Sequence, residues 1–174
     1  MRTLSLLRHA KSSWDDERLA DFERPLAPRG EKAAPLMGRH MREIGLRPDL
    51  VICSSAVRTR QTAALALAKL GRSKLPVAYE DEIYEASASD LLARLQRVDG
   101  AIGHVLMIGH NPGFQRLAVS LAGKQLDEEA AQIAEKFPTA ALVVFELDID
   151  DWAATAPGCG TVTHFATPRR LGGD

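Results

Sequence analysis

Leu4-Ser5-Leu6-Leu7-Arg8-His9-Ala10-Lys11 is an apolar run that ends abruptly in a charged pair and a small residue. The run reads as a buried strand over Thr3–Leu7. In α/β proteins, ligands bind at the carboxyl ends of strands. Arg8 and His9 therefore stand where chemistry is expected. The remaining chain decides whether other cations reach the same edge.

Outward from this stretch, strand and helix patterns alternate. Residues 11–29 are polar, with two prolines, and read as an ordered loop. Glu31–Gly45 reads as a helix, with Ala33, Met37, Met41 and Ile44 on one face and Gly45 as C-cap. Pro35 is expected to kink its first turns or mark a later start. Leu50–Cys53 reads as a strand. Ser54 or Ser55 then caps a helix to about Leu70, with Val57, Ala64, Leu65 and Ala68 on its core face. Gly71–Leu75 reads as a turn and Pro76–Tyr79 as a weak, edge-type strand. Residues 81–88 read as a loop, and Ser87 or Ser89 caps a helix through about Val98.

His104–Ile108 reads as a buried strand. Asn111 as N-cap with Pro112 at the first helical position starts the next helix, and Phe114, Leu117, Ala118 and Leu121 form its apolar face. Asp127–Glu135 reads as a short helix, and Ala141–Leu147 and Gly160–Phe165 as the last strands. This order predicts an α/β three-layer sandwich: a mainly parallel central sheet of about six strands with helices on both faces. The last two strands, joined only by a loop, are expected to be antiparallel.

The chain of 174 residues is 45% hydrophobic and 26% charged, which suits one soluble domain over residues 1–174. Its net charge of −1 implies no global attraction to nucleic acid or an anionic membrane. An anion site must come from a local cluster of cations. Cys53 and Cys159 form no CxxC and no metal-ligand spacing, which reads as two reduced thiols. The apolar run before Arg8 is too short for a signal-peptide core or a membrane span, and the expected location is cytoplasmic.

Three strand-to-helix junctions carry the candidate chemistry: Arg8-His9, the segment Cys53–Thr62 with Arg58, and Gly109-His110-Asn111-Pro112-Gly113. In a parallel sheet all three face one edge, so Arg8, His9, Arg58 and His110 converge. Two helix N-termini add backbone N–H groups there. Such a cluster suits a compact dianion such as phosphate.

The motifs Leu7-Arg8-His9-Ala10-Lys11, Ser54-Ser55-x-x-Arg58-x-x-Gln61-Thr62 and Ile108-Gly109-His110-Asn111-Pro112 resemble the histidine phosphatase (phosphoglycerate mutase-like) superfamily. Asp21-Phe22-Glu23-Arg24-Pro25-Leu26 and Lys136-Phe137-Pro138-Thr139-Ala140-Ala141 resemble its SixA-like branch of short phosphohistidine phosphatases. One departure is Ala10, where the superfamily usually has glycine. The resemblance implies that His9 is the residue that becomes phosphorylated, without metal or cofactor. Attack requires neutral imidazole, and Arg8 and Arg58 are expected to lower the His9 pKa. A backbone carbonyl accepting from the other ring nitrogen would fix the tautomer.

Arg8, Arg58 and His110 would bind the phosphoryl oxygens, with His110 protonated when phosphate is bound. The proton donor is Asp21 or Glu85, with Asp21 ahead by the branch pattern. Arg24 is a further ligand or an ion-pair partner of a loop acid. Trp14 borders the pocket or covers the core, and Ser12 and Ser13 lie within reach of the first junction. His40, His104 and His164 read as structural. The implied function is removal of phosphate from phosphohistidine on a partner protein. The alternatives are a small-molecule phosphomonoesterase, a mutase or a non-catalytic phosphate-binding domain.

Overall fold

The computed structural model describes residues 1–72, 74–124 and 127–173. Its six strands form one sheet in the order β3-β2-β4-β1-β5-β6. These are β1 (Arg2–Arg8), β2 (Leu50–Ser54), β3 (Val77–Glu80), β4 (His104–Gly109), β5 (Leu142–Leu147) and β6 (Gly160–Ala166). β1, β2, β3 and β4 run parallel, whereas β5 pairs antiparallel with both β1 and β6. The mainly parallel sandwich and the antiparallel last pair are as the sequence predicts.

Alternation along β1 distributes the core. Leu4 and Leu6 face the layer of α3 (Ala88–Gln96), α4 (Gly113–Ala122) and α5 (Glu128–Glu135), with Phe114, Leu117, Leu121 and Phe145. Leu7 faces the opposite layer of α1 (Pro28–Glu43) and α2 (Val57–Leu70), with Met37, Met41 and Ala66. The α1–α2 contact is close: a Cβ on Gly38 would lie 2.1 Å from the carbonyl oxygen of Ala66. Among the described residues no helix is long and apolar enough to cross a membrane.

Local differences from the sequence reading have physical causes. α1 starts at Pro28, whose missing N–H costs nothing at a helix start, and it continues through Pro35. The core face of α2 is Thr59, Thr62, Ala63, Ala66 and Leu70, one position off the expected stripe, and Ala64 and Ala68 are exposed. The small residues of this helix make both stripes apolar, and tight packing on α1 selects one. Gly45 takes a φ of 76° just after α1, as its C-cap role requires. Ser87, not Ser89, caps α3, through a capping box with Asp90. Ser73, within the expected turn, lies outside the described residues.

Candidate active site

The register of the three central strands brings the junctions level. Arg8 pairs across from Gly109 and Cys53 from Ile108. The His9 amide then donates to the Gly109 carbonyl at 2.9 Å, tying the first junction to the third. His9 is 6% exposed, and its Nδ1 lies 2.7 Å from the carbonyl of Ala10. A carbonyl only accepts, so Nδ1 carries the proton and Nε2 the lone pair.

Ala10 is held in turn by the second junction. Its amide donates to the Thr62 hydroxyl at 3.0 Å, which donates to the Arg58 carbonyl at 2.7 Å. The non-glycine residues of positive φ among those described are Glu85 and Ala140. Alanine in place of the usual glycine at position 10 therefore carries no backbone strain.

The His9 pKa is lowered to about 3. The main cause is burial, with smaller contributions from His110, Arg8 and Arg58, against the Ala10 hydrogen bond. The expected direction holds, but the arginines are not the leading cause. His110 is likewise lowered to about 3, by burial first and then Arg58, with Asp21 opposing and Arg8 adding. Without a bound anion it is neutral at pH 7. The two rings lie 5.2 Å apart, centroid to centroid.

The serine and asparagine expected to cap α2 and α4 serve this site instead. The Ser54 hydroxyl oxygen lies 2.7 Å from His110 Nε2 and accepts the Ala56 amide at 3.3 Å. The Ser54 hydroxyl has a proton for a bare Nε2 and a second lone pair for an Nε2–H, so this contact serves either tautomer of His110. Asn111 donates its amide to the Phe137 carbonyl at 2.9 Å, and Arg8 reaches the same carbonyl at 3.1 Å. A buried carbonyl on the 136–140 segment outcompetes the helix start for the Asn111 side chain. The Ala140 amide donates to the His9 carbonyl at 3.0 Å, so this segment walls the site. Three nitrogens here are buried without a hydrogen-bond partner among the described residues: Arg8 Nε, Arg58 Nε and His110 Nδ1. Buried polar atoms left in this way are uncommon and point to a ligand.

Asp21 lies at the centre of a second layer. Arg58 donates to its backbone carbonyl at 2.7 Å and to its carboxylate at 3.0 Å. Arg24 forks onto the other carboxylate oxygen at 3.1 and 2.9 Å, and the Tyr84 hydroxyl donates at 2.6 Å. Burial opposes ionisation of Asp21, but the hydrogen bonds from Tyr84, Arg24 and Arg58 outweigh it and hold the pKa well below the ordinary carboxylate value. Arg24 is thus an ion-pair partner of Asp21. It also donates to the Ser12 hydroxyl and the Ser13 carbonyl, at 2.8 and 3.1 Å. Trp14 is 69% exposed and lies 3.5 Å from the Arg24 guanidinium, so it covers no core.

A cleft of about 530 Å³ opens beside these groups. Its lining includes Asp21, Arg58, Tyr84, Glu85, His110 and Arg116. Glu85 is exposed there with a φ of 56°, a conformation that costs a non-glycine residue about 1 kcal/mol or more.

The sequence profile of the histidine phosphatase superfamily (branch 1) matches residues 4–95. This chain belongs to that superfamily. An uncharacterized protein of Mycobacterium tuberculosis, Rv1276c, is 37% identical over 165 residues, covering 94% of this chain and all of the relative. A structure from Nakamurella multipartitia assigned as phosphohistidine phosphatase SixA superposes with a TM-score of 0.82 at 28% identity, over 95% of each chain. Another, from Agrobacterium tumefaciens with the same assignment, gives 0.82 at 26%, over 96% of this chain and 98% of that one.

Within the histidine phosphatase fold, the structure brings together Arg8, His9, Arg58 and His110 and places Asp21 and Glu85 on the same cleft. The remaining histidines lie apart. His40 Nε2 and His164 Nε2 are 2.7 Å apart, and His104 bonds the buried Ser5 hydroxyl at 2.8 Å. Sequence reasoning missed Tyr84 and the Phe137 carbonyl. Tyr84 precedes Glu85 directly and was the available signal. No side-chain pattern announces a carbonyl.

Proposed function

We propose that this protein is a phosphatase that acts, as a single domain, through a phosphohistidine on His9, and that its substrate is phosphohistidine on a partner protein. One observation carries the reading. A buried histidine with its proton fixed on Nδ1 stands beside three buried nitrogens, of Arg8, Arg58 and His110, that have no partner among the described residues.

In the first step His9 Nε2 attacks phosphorus. The new N–P bond forms as the bond to the leaving group breaks. Arg8 and Arg58 hold the phosphoryl oxygens, and His110 takes up a proton as the dianion enters. Each such contact is worth on the order of 10²–10³-fold in rate. In the second step water attacks phosphorus, the Nε2–P bond breaks, and inorganic phosphate leaves. No metal enters either step.

The leaving group decides the substrate. Asp21 is ionised and has no proton to give in the unliganded site. A protonated phosphoimidazole needs no such donor, because it leaves as neutral imidazole. An alkoxide does need one, and Glu85 is the carboxyl group that would supply it. The SixA-assigned neighbours support the same substrate class.

The test uses p-nitrophenyl phosphate and a phosphohistidine-carrying protein, with wild type and His9→Ala. Phosphate release from the phosphoprotein by wild type alone is expected, with an acid-labile phosphoenzyme trapped on His9. Inactivity of wild type toward both substrates overturns the enzyme reading. Activity that survives His9→Ala overturns the mechanism.

A further inference from the structure

A second cleft, of about 350 Å³, lies against the 136–140 segment. Its floor includes Ala33, Pro138 and Phe165, and its rim carries Lys11, Arg29, Lys136, Arg169 and Arg170 against the single carboxylate of Glu135. All five cations are exposed. Among the described residues Lys11, Lys136, Arg169 and Arg170 form no ion pair. The whole chain has a net charge of −1, so this concentration of positive charge is local and is not a by-product of composition.

The cleft shares a wall with the phosphate pocket. Lys11 follows His9 by two residues, and its carbonyl accepts the Ala27 amide at 2.9 Å, which fixes it against the start of α1. Pro138 adjoins Phe137, whose carbonyl holds Arg8 and Asn111. Arg170 is set by a bond to the Gln132 side chain and lies 5.3 Å over the Phe165 ring. The basic groove therefore adjoins the phosphate pocket through Lys11 and the 136–140 segment.

We propose that this groove docks an acidic segment of the phosphoprotein substrate and so sets the preference for protein over small phosphoesters. The inference rests on the phosphohistidine reading above. Its occupant is identified by charge: a Glu/Asp-rich surface next to the phosphohistidine. Clustered charge of one sign raises encounter rates by 10–10³-fold and loses effect as salt rises.

The test uses two synthetic phosphohistidine peptides with one common core, flanked by four glutamates or by four lysines. In wild type the glutamate peptide is expected to show about a tenfold or greater advantage in kcat/KM at low salt, mainly through KM. The advantage should shrink at 0.5 M salt. The double variant Arg169→Glu/Arg170→Glu should lose it while hydrolysing p-nitrophenyl phosphate at the wild-type rate. Equal use of the two peptides by wild type overturns the groove, as does a preference retained in the variant. A variant that loses p-nitrophenyl phosphate activity to the same degree overturns it too. Wild type that hydrolyses p-nitrophenyl phosphate but neither peptide overturns the phosphohistidine reading itself, and the groove assignment falls with it.

Discussion

Acidification should unfold this protein, and His9 should account for a defined part of the loss. His9, His104 and His110 are all at most 8% exposed, and burial is the leading cause of each lowered pKa, to about 3, 4 and 3. In the unfolded chain a histidine takes up its proton near pH 6.5. Between pH 6.5 and about 4 the unfolded chain therefore binds one more proton per histidine than the folded one, and stability falls as the pH falls. His9 and His110 each remove about 2.6 kcal/mol between pH 7 and pH 4.5, and His104 slightly less. Three such groups remove roughly 7–8 kcal/mol, comparable to the total stability of many domains. Urea unfolding followed by tryptophan fluorescence at pH 7.0, 5.5 and 4.5 measures this loss. In His9→Asn the side chain is neutral throughout. The stability of that variant relative to wild type should rise by about 2.6 kcal/mol from pH 7.0 to 4.5, whatever its value at pH 7.0. A difference that stays constant across this range would mean that His9 titrates normally in the folded protein, and the buried neutral nucleophile would be refuted.

Further substitutions separate the roles of other residues. Arg58→Ala should lower turnover by at least about 100-fold with an unchanged circular dichroism spectrum; loss of the fold would make Arg58 structural instead. Glu85→Gln should reduce hydrolysis of an alkyl phosphate such as glycerol phosphate by about tenfold or more and phosphohistidine hydrolysis only slightly, in parallel steady-state assays. Gly38→Ala should destabilise the α1–α2 contact by about 1–3 kcal/mol, seen as a lower urea midpoint, because a Cβ there meets backbone and not a movable side chain.

The sheet and the four-residue cluster were legible because they rest on patterns that survive in one dimension. A parallel strand followed by a cation places that cation at a known edge, and three repeats of the pattern fixed Arg8, His9, Arg58 and His110. What was not legible depends on competition between partners. Ser54, Ser55 and Asn111 look like helix caps, yet Ser54 turns to His110, Ser55 to Asp81 and Asn111 to Phe137. Each hydroxyl or amide had a nearer polar group to satisfy than the helix start. The stripe of α2 was misassigned because alanines carry little directional signal. The leading cause of the His9 shift was missed for a related reason: neighbouring charges can be read from sequence, whereas depth of burial cannot.

Under the proposed mechanism, the residues around Asp21 give the site a preference that the four-residue cluster alone would not. Arg58 already holds an anion, the Asp21 carboxylate, which Tyr84 and Arg24 keep ionised. An incoming phosphoryl group therefore shares Arg58 with a fixed negative charge, and it gains most from the nitrogens without a partner among the described residues: Arg8 Nε, Arg58 Nε and His110 Nδ1. The same fixed charge bears on the proton. Transfer from Asp21 would break several hydrogen bonds that favour its ionised form, so protonation of a leaving group by Asp21 is uphill. Under the proposed mechanism, substrates that bring their own proton are favoured. A protonated phosphohistidine meets that condition and an alkyl phosphate does not. The proposed substrate preference then follows from how Arg58 is anchored.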